Sequence, residues 1–257
     1  MGEVVIEGRG ITVEAEGNES FHPVVFVHGA GCSAYVWRRQ MEFFRRQFRV
    51  VAVNLTGHGS SGAAAVGDAR ERYAGDVLAA MEFLGLRGAT LVGHSMGGAI
   101  AIHIALNQPE VVDSLVLAGT GARLRVAPAI FGMMARDFAG AAVSMARFCL
   151  GAGAGKALVE ELGRAIAGTG VEATVRDFRM CDGFDEMERV EKIAHPTLIV
   201  AGEADVLTPV KYSRYLKEKI RNSQLTVLPG CGHMMMMEDP LNFNVAVYGF
   251  LHRVSGC

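Results

Sequence analysis

The stretch that decides the fold is Thr90-Leu91-Val92-Gly93-His94-Ser95-Met96-Gly97-Gly98-Ala99-Ile100-Ala101. An apolar, β-prone run ends at Gly93, one serine follows, and an alanine-rich helical pattern begins after two further glycines. This order predicts a strand, a tight turn with Ser95 at its tip, and a helix. Gly93 and Gly97 flank the turn because a side chain at either position would collide across so sharp a bend.

The predicted position of Ser95 is suited to a nucleophile. At a helix N-terminus, unpaired amide groups and the positive end of the helix dipole favour developing negative charge. The spacing G-x-S-x-G between a strand and a helix is typical of a nucleophile elbow, whereas the alternative is a serine–glycine turn without chemical meaning. The predicted strand before Ser95 and helix after it favour the nucleophile elbow over the turn without chemical meaning.

Composition limits the classes of protein to consider. A chain of 257 residues fits one large α/β domain, or a core with a modest insertion. The 25 basic and 27 acidic residues give a net charge of −2 without long runs of either sign, which argues against nucleic acid or an anionic membrane surface as partner. We therefore expect a small, mostly neutral ligand.

Cysteine usage and the N-terminal sequence indicate the compartment. The five cysteines are odd in number and lack C-x-x-C spacing, which argues against a disulfide framework and a zinc site. The first ten residues lack the basic start and apolar core of a secretory signal, and no segment reaches the roughly 18 apolar residues of a membrane span. These features predict a cytoplasmic protein without a membrane span, metal or cofactor, and they leave the oligomeric state open.

Apolar runs alternate with helical patterns along most of the chain. Short edge strands are predicted at 4–6 and 11–15, and buried strands at 23–27, 48–55, before Gly93, and at 112–118, 197–201 and 224–228. Such alternation is typical of an α/β fold with a parallel sheet. The alternation lapses over 119–190, where several helix-like segments rich in Met, Phe and Ala predict a helical insertion.

A serine nucleophile needs a base, which is usually a histidine oriented by a carboxylate. His233 follows the last buried strand, in Pro229-Gly230-Cys231-Gly232-His233, and loops at the carboxyl ends of parallel strands share one edge with Ser95. His94 adjoins Ser95 and is expected to point elsewhere, because consecutive residues at a sharp turn diverge. The remaining candidates are less well placed, namely His103, His195 and His252.

The acid and the oxyanion donors are predicted at the same edge. Asp205 follows the strand 197–201 and would orient His233, with Glu203 as the competing carboxylate. The N–H of Met96, directly after the nucleophile, and the N–H of Ala30, in the turn after the strand 23–27, would hold the oxyanion of a tetrahedral intermediate.

Four motifs in combination resemble those of the α/β-hydrolase superfamily. They are P-V-V-F-V-H-G-A-G at 23–31, G-H-S-M-G-G at 93–98, A-G-E-A-D-V-L-T-P at 201–209 and P-G-C-G-H at 229–233. The family's chain order of serine, acid and histidine matches Ser95, Asp205 and His233. The resemblance covers essentially the whole chain and implies an α/β-hydrolase fold with a mostly parallel, eight-stranded sheet flanked by helices.

The resemblance also implies the domain organisation. The segment 119–190 corresponds to the helical lid that family members carry after the sixth strand, and 1–118 with 191–257 to the core domain. Similar hydrolases often have aspartate where this chain has Asn54, but that aspartate is generally structural. Members with an aspartate nucleophile, the haloalkane dehalogenases and epoxide hydrolases, are disfavoured by Ser95.

Several functions remain open on this fold. The leading hypothesis is a serine hydrolase that cleaves an ester or thioester without a cofactor. A carbon–carbon bond hydrolase acting on a diketone or dienoate also carries S-M-G-G, although His94 stands where such enzymes commonly have asparagine. Acyl transfer and perhydrolysis are further uses of the same groups, and a non-catalytic ligand receptor is the alternative from another class.

The substrate is predicted only from the insertion and its surroundings. Its apolar side chains predict a pocket for a medium-sized apolar acyl group in preference to a charged one, whereas ordinary helix packing is the alternative for each residue taken singly. These side chains are Ile130, Phe131, Met133, Met134, Met145, Phe148 and Leu150. The predicted substrate-binding residues are His28, Phe131, Met134 and Met234.

Overall fold

A computed structural model describes residues 2–6, 10–63 and 67–255 of the chain. Its strands are β1 (Gly2–Ile6), β2 (Ile11–Glu16), β3 (Pro23–Val27), β4 (Arg49–Asn54), β5 (Ala89–His94), β6 (Val112–Ala118), β7 (Thr197–Gly202) and β8 (Ser223–Leu228). Its α-helices are α1 (Arg38–Phe44), α2 (Ala69–Phe83), α3 (Met96–Asn107), α4 (Pro128–Arg136), α5 (Phe138–Cys149), α6 (Lys156–Thr169), α7 (Val171–Gly183), α8 (Val210–Lys219), α9 (Met235–Glu238) and α10 (Pro240–Ser255). Short 3₁₀ turns lie at Ala34–Trp37, Pro109–Val111 and Val190–Lys192.

The eight strands form one sheet in the order β1-β2-β4-β3-β5-β6-β7-β8. The β1–β2 and β2–β4 pairs are antiparallel, and all later neighbours are parallel. The predicted fold class, a mostly parallel eight-stranded sheet flanked by helices, is confirmed. Because β3 to β8 run in the same direction, the loops after these strands gather at one edge of the sheet.

Apolar side chains cover both faces of the sheet, which explains the continuous apolar runs. Along β3, Val25 and Val27 belong to one hydrophobic cluster, and Val24 and Phe26 belong to the other. Helices α2, α3 and α8 pack on the first face, and α1 and α10 on the second. A strand buried on both sides has no polar face and therefore does not alternate.

Four helices, α4 to α7, occupy the segment between β6 and β7. Helix α5 packs on α6, while α7 contacts α2 and α3 of the core. An isolated antiparallel bridge between Arg123 and Asp185 joins the two ends of this segment. The helical content agrees with the sequence pattern; that the segment acts as a separate lid stays a prediction.

Asn54, the residue that departs from the family pattern, has a structural position at the end of β4. Its side chain is buried, with Oδ1 accepting from the Ala34 N–H at 2.8 Å and Nδ2 donating to Thr12 Oγ1 at 3.0 Å. It therefore connects β4 to β2 and to the 3₁₀ turn at Ala34–Trp37.

None of the helices within the described ranges combines the length and the hydropathy needed to cross a bilayer.

Candidate active site

Ser95 lies between β5 and α3 in a strained conformation. Its φ of 52° and ψ of −114° make it the one non-glycine residue with positive φ among those described. Such a conformation costs about 1–3 kcal/mol and persists only where the surroundings enforce it. Here the Ser95 N–H donates to Ala118 O at 2.9 Å, and Thr120 Oγ1 donates to Ser95 O at 2.8 Å.

The glycines of the elbow allow α3 to approach β3. A Cβ on Gly97 would meet the backbone of Val27 and His28, and a Cβ on Gly93 would meet the backbone of Gly97. A side chain at either glycine would therefore collide, as predicted. At Gly93 it would meet the turn itself, and at Gly97 it would meet the end of the neighbouring strand β3.

His233 lies in the loop after β8, and the segment around α5 and α9 holds this loop in place. The N–H groups of His233 and Met234 both donate to Cys149 O, at 2.7 and 3.2 Å. The carboxylate of Glu238 accepts from the N–H of Gly232 at 3.1 Å and from that of Gly151 at 2.7 Å. The orientation of the loop thus depends on the helical segment as well as on the sheet.

Asp205 contacts His233 as the sequence predicts. His233 Nδ1 donates to Asp205 Oδ2 at 2.8 Å, and both residues are buried. Thr208 Oγ1 donates to the same Oδ2 at 2.7 Å, while the N–H groups of Leu207 and Thr208 donate to Oδ1 at 2.8 and 2.9 Å. Because a carboxylate only accepts, Nδ1 carries the proton and Nε2 is left as the acceptor.

The environment of Asp205 keeps its carboxylate ionised. Burial on its own would raise its pKa, but the charge of His233 and the hydrogen bonds from His233 and Thr208 outweigh burial and hold the pKa of Asp205 below its ordinary value. An ionised carboxylate at this position stabilises an imidazolium on His233.

Ser95, His233 and Thr208 line one cavity of about 90 Å³. A Cβ added to Gly119, which directly follows the Ser95 contact Ala118, would lie 3.3 Å from His233 Nδ1. Within the described chain Ser95 Oγ makes no hydrogen bond. Catalytic hydrogen bonds are commonly long without substrate and tighten in the complex.

The two predicted oxyanion donors flank the nucleophile. Met96 is the first residue of α3, so its N–H has no partner within the helix. Ala30 lines the cavity, and its turn abuts the elbow, since a Cβ on Gly29 would lie 3.3 Å from Ser95 Cβ. These positions are consistent with the predicted roles.

His94 differs from its prediction, because its side chain lines the cavity instead of pointing away from it. Its ring lies 4.6 Å from that of His233, and its Nε2 donates to the His233 carbonyl at 3.0 Å. Nδ1 is buried without a hydrogen-bond partner and faces Gly29, whose added Cβ would lie 2.7 Å away. Burial, with the nearby His233 charge, lowers the pKa of His94 to about 3, so its imidazole is neutral.

The competing candidates lie away from this pair. Glu203 Oε2 accepts from the Gly230 N–H at 3.0 Å on the surface. His103 faces Glu71, with Nε2 to Oε1 at 3.2 Å. Two other histidines have partners elsewhere, His195 at the Pro109 carbonyl and His252 at the Tyr248 hydroxyl.

Of the four predicted substrate-binding residues, only Met234 lines the cavity. His28 is fully buried, with Nδ1 bonded to its neighbour's carbonyl and its ring 4.8 Å from that of His58, so it supports the turn from behind. Phe131 and Met134 pack in the second hydrophobic cluster. Ile130 is the residue of α4 that lines the cavity. Because the apolar residues of α4 spread around much of the helix, the sequence did not distinguish Ile130 from the neighbours that do not line the cavity.

Ile130 and Met145, which the sequence analysis assigned to an acyl pocket, line the cavity, but several other lining residues were not predicted. Three of them are the cysteines Cys32, Cys149 and Cys181; burial raises the pKa of Cys32 to about 12 and shifts the other two upward as well, so they act as small apolar walls. Arg125, which is about half exposed and donates to Asp182 O at 2.6 Å, is a charged lining residue. No sequence signal distinguished these residues. In the part of the chain that the structure describes, no group of three or more His, Cys, Asp or Glu could hold a metal ion.

A family model for the alpha/beta hydrolase family matches residues 24–246. The chain belongs to the alpha/beta hydrolase family. It is therefore a hydrolase, and esterases are among the proteins most similar to it. One such structure, a thermophilic esterase, is 33% identical, covers 98% of this chain and 97% of its own, and superposes with a TM-score of 0.85.

Relatives of this hydrolase differ in their chemistry. A 2-hydroxy-6-oxo-6-(2'-aminophenyl)hexa-2,4-dienoic acid hydrolase of Metapseudomonas resinovorans is 28% identical over 90% of this chain and 84% of its own. The dihydrolipoyllysine-residue acetyltransferase component of the acetoin cleaving system of Pseudomonas putida is 29% identical over 92% of this chain. The match spans 65% of that longer protein. Membership in the family therefore leaves the substrate open.

Proposed function

We propose that this hydrolase cleaves an ester or thioester of a short, apolar acyl group, with Ser95 as nucleophile, His233 as base and Asp205 as its partner. The observation that carries the proposal is the 2.8 Å bond between His233 Nδ1 and Asp205 Oδ2 beside a cavity that Ser95 also lines. Supporting it, Ser95 has the strained φ of 52° expected of an exposed nucleophile between strand and helix.

The groups carry the reaction as follows. Ser95 Oγ attacks the carbonyl carbon while His233 Nε2 takes its proton, and the N–H groups of Met96 and Ala30 stabilise the oxyanion of the tetrahedral intermediate. The intermediate collapses to an acyl-enzyme as His233 returns the proton to the leaving oxygen or sulfur. Water, activated by His233, then releases the acid and restores Ser95, while Asp205 stabilises the imidazolium in each half.

The cavity favours a shorter acyl group than the sequence predicts. Its volume of about 90 Å³ is below the roughly 300 Å³ at which drug-sized ligand pockets begin. Apolar side chains from the helical segment form much of its lining, namely Ile130, Met145, Leu162, Ile166 and Phe178. We therefore propose that α4 to α7 act as a lid that limits the length of the acyl chain.

The test of the nucleophile compares Ser95→Ala with wild type on p-nitrophenyl butyrate. Removing Ser95 is expected to lower kcat by at least about 10³-fold, because no other group in the scheme attacks the carbonyl. Ser144→Ala is the matched control, since the Ser144 hydroxyl donates to Gly140 O within α5 and the residue does not line the cavity. Full activity in Ser95→Ala would contradict the proposal.

The same assay tests the acyl preference with a series of esters from acetate to octanoate. We expect kcat/KM to be highest at two to four carbons and roughly tenfold or more lower at eight, because each added methylene must fit the small cavity. A maximum at octanoate would show that the helical segment opens. It would contradict the proposed limit on acyl length but not the proposed role of Ser95 as nucleophile.

Carbon–carbon bond hydrolysis is the second candidate, favoured by the similarity to the dienoic acid hydrolase. His94 provides no hydrogen bond to a substrate through Nδ1, because Gly29 covers that atom. Incubation with a vinylogous 1,5-diketone and with simple esters separates the two reactions. If kcat/KM for the diketone exceeds that for every ester, carbon–carbon bond hydrolysis is the main activity.

A further inference from the structure

A buried carboxylate outside the proposed triad joins the helical segment to the core. Asp177, on α7, is fully buried. Its Oδ1 accepts from the Tyr73 hydroxyl at 2.6 Å, and its Oδ2 accepts from His58 Nε2 at 2.7 Å and from the Gly31 N–H at 2.9 Å. A carboxylate removed from water is costly unless every oxygen is bonded, and here both oxygens are.

One of these partners belongs to the turn that carries the proposed oxyanion donor. Gly31 directly follows Ala30 and has a φ of +66°. While Asp177 binds the Gly31 N–H, Thr169 Oγ1 at the end of α6 donates to the Gly31 carbonyl at 3.0 Å. Both polar backbone groups of Gly31 are therefore held by side chains from the helical segment.

The rest of the turn is held from the core side. The Gly29 carbonyl accepts from the Cys32 N–H at 3.2 Å and from His28 Nδ1 at 2.9 Å. That carbonyl shares a planar trans peptide with the Ala30 N–H, so the two groups point in opposite directions. Binding of the Gly29 carbonyl on one side therefore directs the Ala30 N–H to the other, and the Asp177 bond restrains the next peptide.

The partners of Asp177 are themselves fixed. His58 Nδ1 bonds to the Thr56 carbonyl at 3.2 Å. Arg176, adjacent to Asp177, donates from Nε to the Tyr73 hydroxyl at 2.8 Å and from its terminal nitrogen to the Thr56 carbonyl at 3.2 Å. The network therefore places α7 against α2 and against the loop after β4, leaving Asp177 little freedom to move.

We propose that Asp177 is a positioning residue for hydrolysis, which holds the turn 29–32 so that the Ala30 N–H faces the oxyanion. This inference rests on the proposed function. It assigns the helical segment a part in stabilising the transition state, in addition to shaping the acyl cavity.

The experiment compares wild type with Asp177→Ala, Asp177→Asn and the control Asp137→Ala. Asp137 is the exposed N-cap of α5, where Oδ1 accepts from the Gly140 N–H at 3.0 Å, so its loss tests general damage to the helical segment. For each protein, kcat and KM are measured on p-nitrophenyl butyrate. Inhibition constants are measured for a short trifluoromethyl ketone, which forms an oxyanion adduct on serine, and for the matching amide, which does not.

The expected result separates transition-state from ground-state binding. Asp177→Ala should lower kcat by about 30- to 100-fold and weaken the trifluoromethyl ketone in parallel, with KM and amide inhibition within about threefold of wild type. Asp177→Asn should stay within about tenfold of wild type, because its amide oxygen still accepts from the Gly31 N–H. Asp137→Ala should keep wild-type kcat.

Two results would overturn the inference. One is a folded Asp177→Ala protein with kcat within twofold of wild type. The other is an inhibition constant for the amide that rises as much as that for the ketone, which would show that Asp177 shapes the pocket and does not act on the oxyanion donor. If Asp177→Ala fails to fold, Thr169→Val is used instead, because it removes the other side-chain bond to Gly31. An unchanged ratio of ketone to amide inhibition in Thr169→Val would show that the bonds to Gly31 do not position the Ala30 N–H, and would overturn the inference. Absence of esterase activity and of a Ser95 adduct in wild type would instead reject the proposed function.

Discussion

At the scale of single residues, Asp205 shows how one side chain can organise both a loop and a histidine side chain. Its Oδ1 accepts from two N–H groups of the loop, and its Oδ2 binds Thr208 and His233. The loop bonds need only an acceptor, whereas the orientation of the imidazole needs a negative charge. The two roles can therefore be separated by substitution.

Asp205→Asn is expected to lower kcat by about 10³- to 10⁴-fold while leaving the fold intact. An amide keeps the acceptor that the loop N–H groups need, but it neither stabilises an imidazolium nor selects the Nδ1–H tautomer of His233. The measurement is kcat on p-nitrophenyl butyrate together with the urea midpoint. Glu203→Gln, in the same loop, is the control and should keep full activity; a loss below tenfold in Asp205→Asn would contradict the role.

His94 illustrates a residue whose sequence position misleads. Adjacent residues at a bend do diverge, yet His94 and Ser95 both line the cavity because His94 folds back against His233. The distance between their rings is 4.6 Å, and the bond to the His233 carbonyl holds His94 in place. Neighbours in sequence gave no indication of this contact, since His233 lies 139 residues away.

At the scale of elements, Asn54 connects three segments of the core. Its two side-chain bonds join the end of β4 to Thr12 on β2 and to the N–H of Ala34. The family resemblance implied a structural position here, and the structure agrees. The unusual residue type therefore bears on stability, and Asn54 takes no part in the proposed reaction.

Asn54→Ala is expected to lower the free energy of unfolding by about 2–3 kcal/mol, because it leaves the buried Ala34 N–H without an acceptor. Asn54→Asp keeps that acceptor, and the Thr12 hydroxyl can donate to its second oxygen, so a loss below about 1 kcal/mol is expected. Urea unfolding followed by circular dichroism gives both values. Equal destabilisation by the two variants would show that the hydrogen bonds are not the cause.

The helices between β6 and β7 show the limit of periodicity at this scale. Their apolar patterns predicted helices, and four helices are present. Which face of α4 meets the cavity was not predictable, because its apolar residues surround more than half of the helix. Ile130 lines the cavity, whereas the next residue, Phe131, points about 100° away from it and does not.

At the scale of the whole molecule, two buried histidines couple stability to pH. Burial, together with the charge of a neighbouring histidine, lowers the pKa of His28 and of His94 from the ordinary 6.5 to about 3. The unfolded chain therefore binds more protons than the folded chain below pH 6.5, and the free energy of unfolding falls as the pH falls. Asp205, whose pKa is lowered, adds to this loss only at more acidic pH, as its carboxylate becomes protonated in the unfolded chain.

Between pH 7 and pH 5.5 we expect His28 and His94 to contribute about equally to a loss of about 2–3 kcal/mol in the free energy of unfolding. Burial also lowers the pKa of His22, which adds to the loss in the same direction. Urea titrations at several pH values provide the measurement, with the slope against urea checked for constancy. His28→Gln should remove roughly half of the loss, since glutamine can accept from Leu55 N–H without titrating. A free energy independent of pH over this range would contradict the buried, neutral state.

The sequence by itself determined the sheet, its direction, the elbow and the identity of Ser95, His233 and Asp205 as candidates. Strand and turn patterns act over a few residues, so local sequence carries them: β3 is fully apolar because both its faces are covered, and Gly97 is small because Val27 is near. The shared edge of a parallel sheet then predicts which loops meet.

Only the tertiary structure decided which side chains face the cavity, that His94 packs on His233, and that Asp177 binds the turn at Gly31. The residues of this last contact are separated by 146 positions. Such contacts depend on how a helix is rotated and docked against the sheet. A local pattern shows which side of a helix is apolar, but it does not encode which distant residue that side meets.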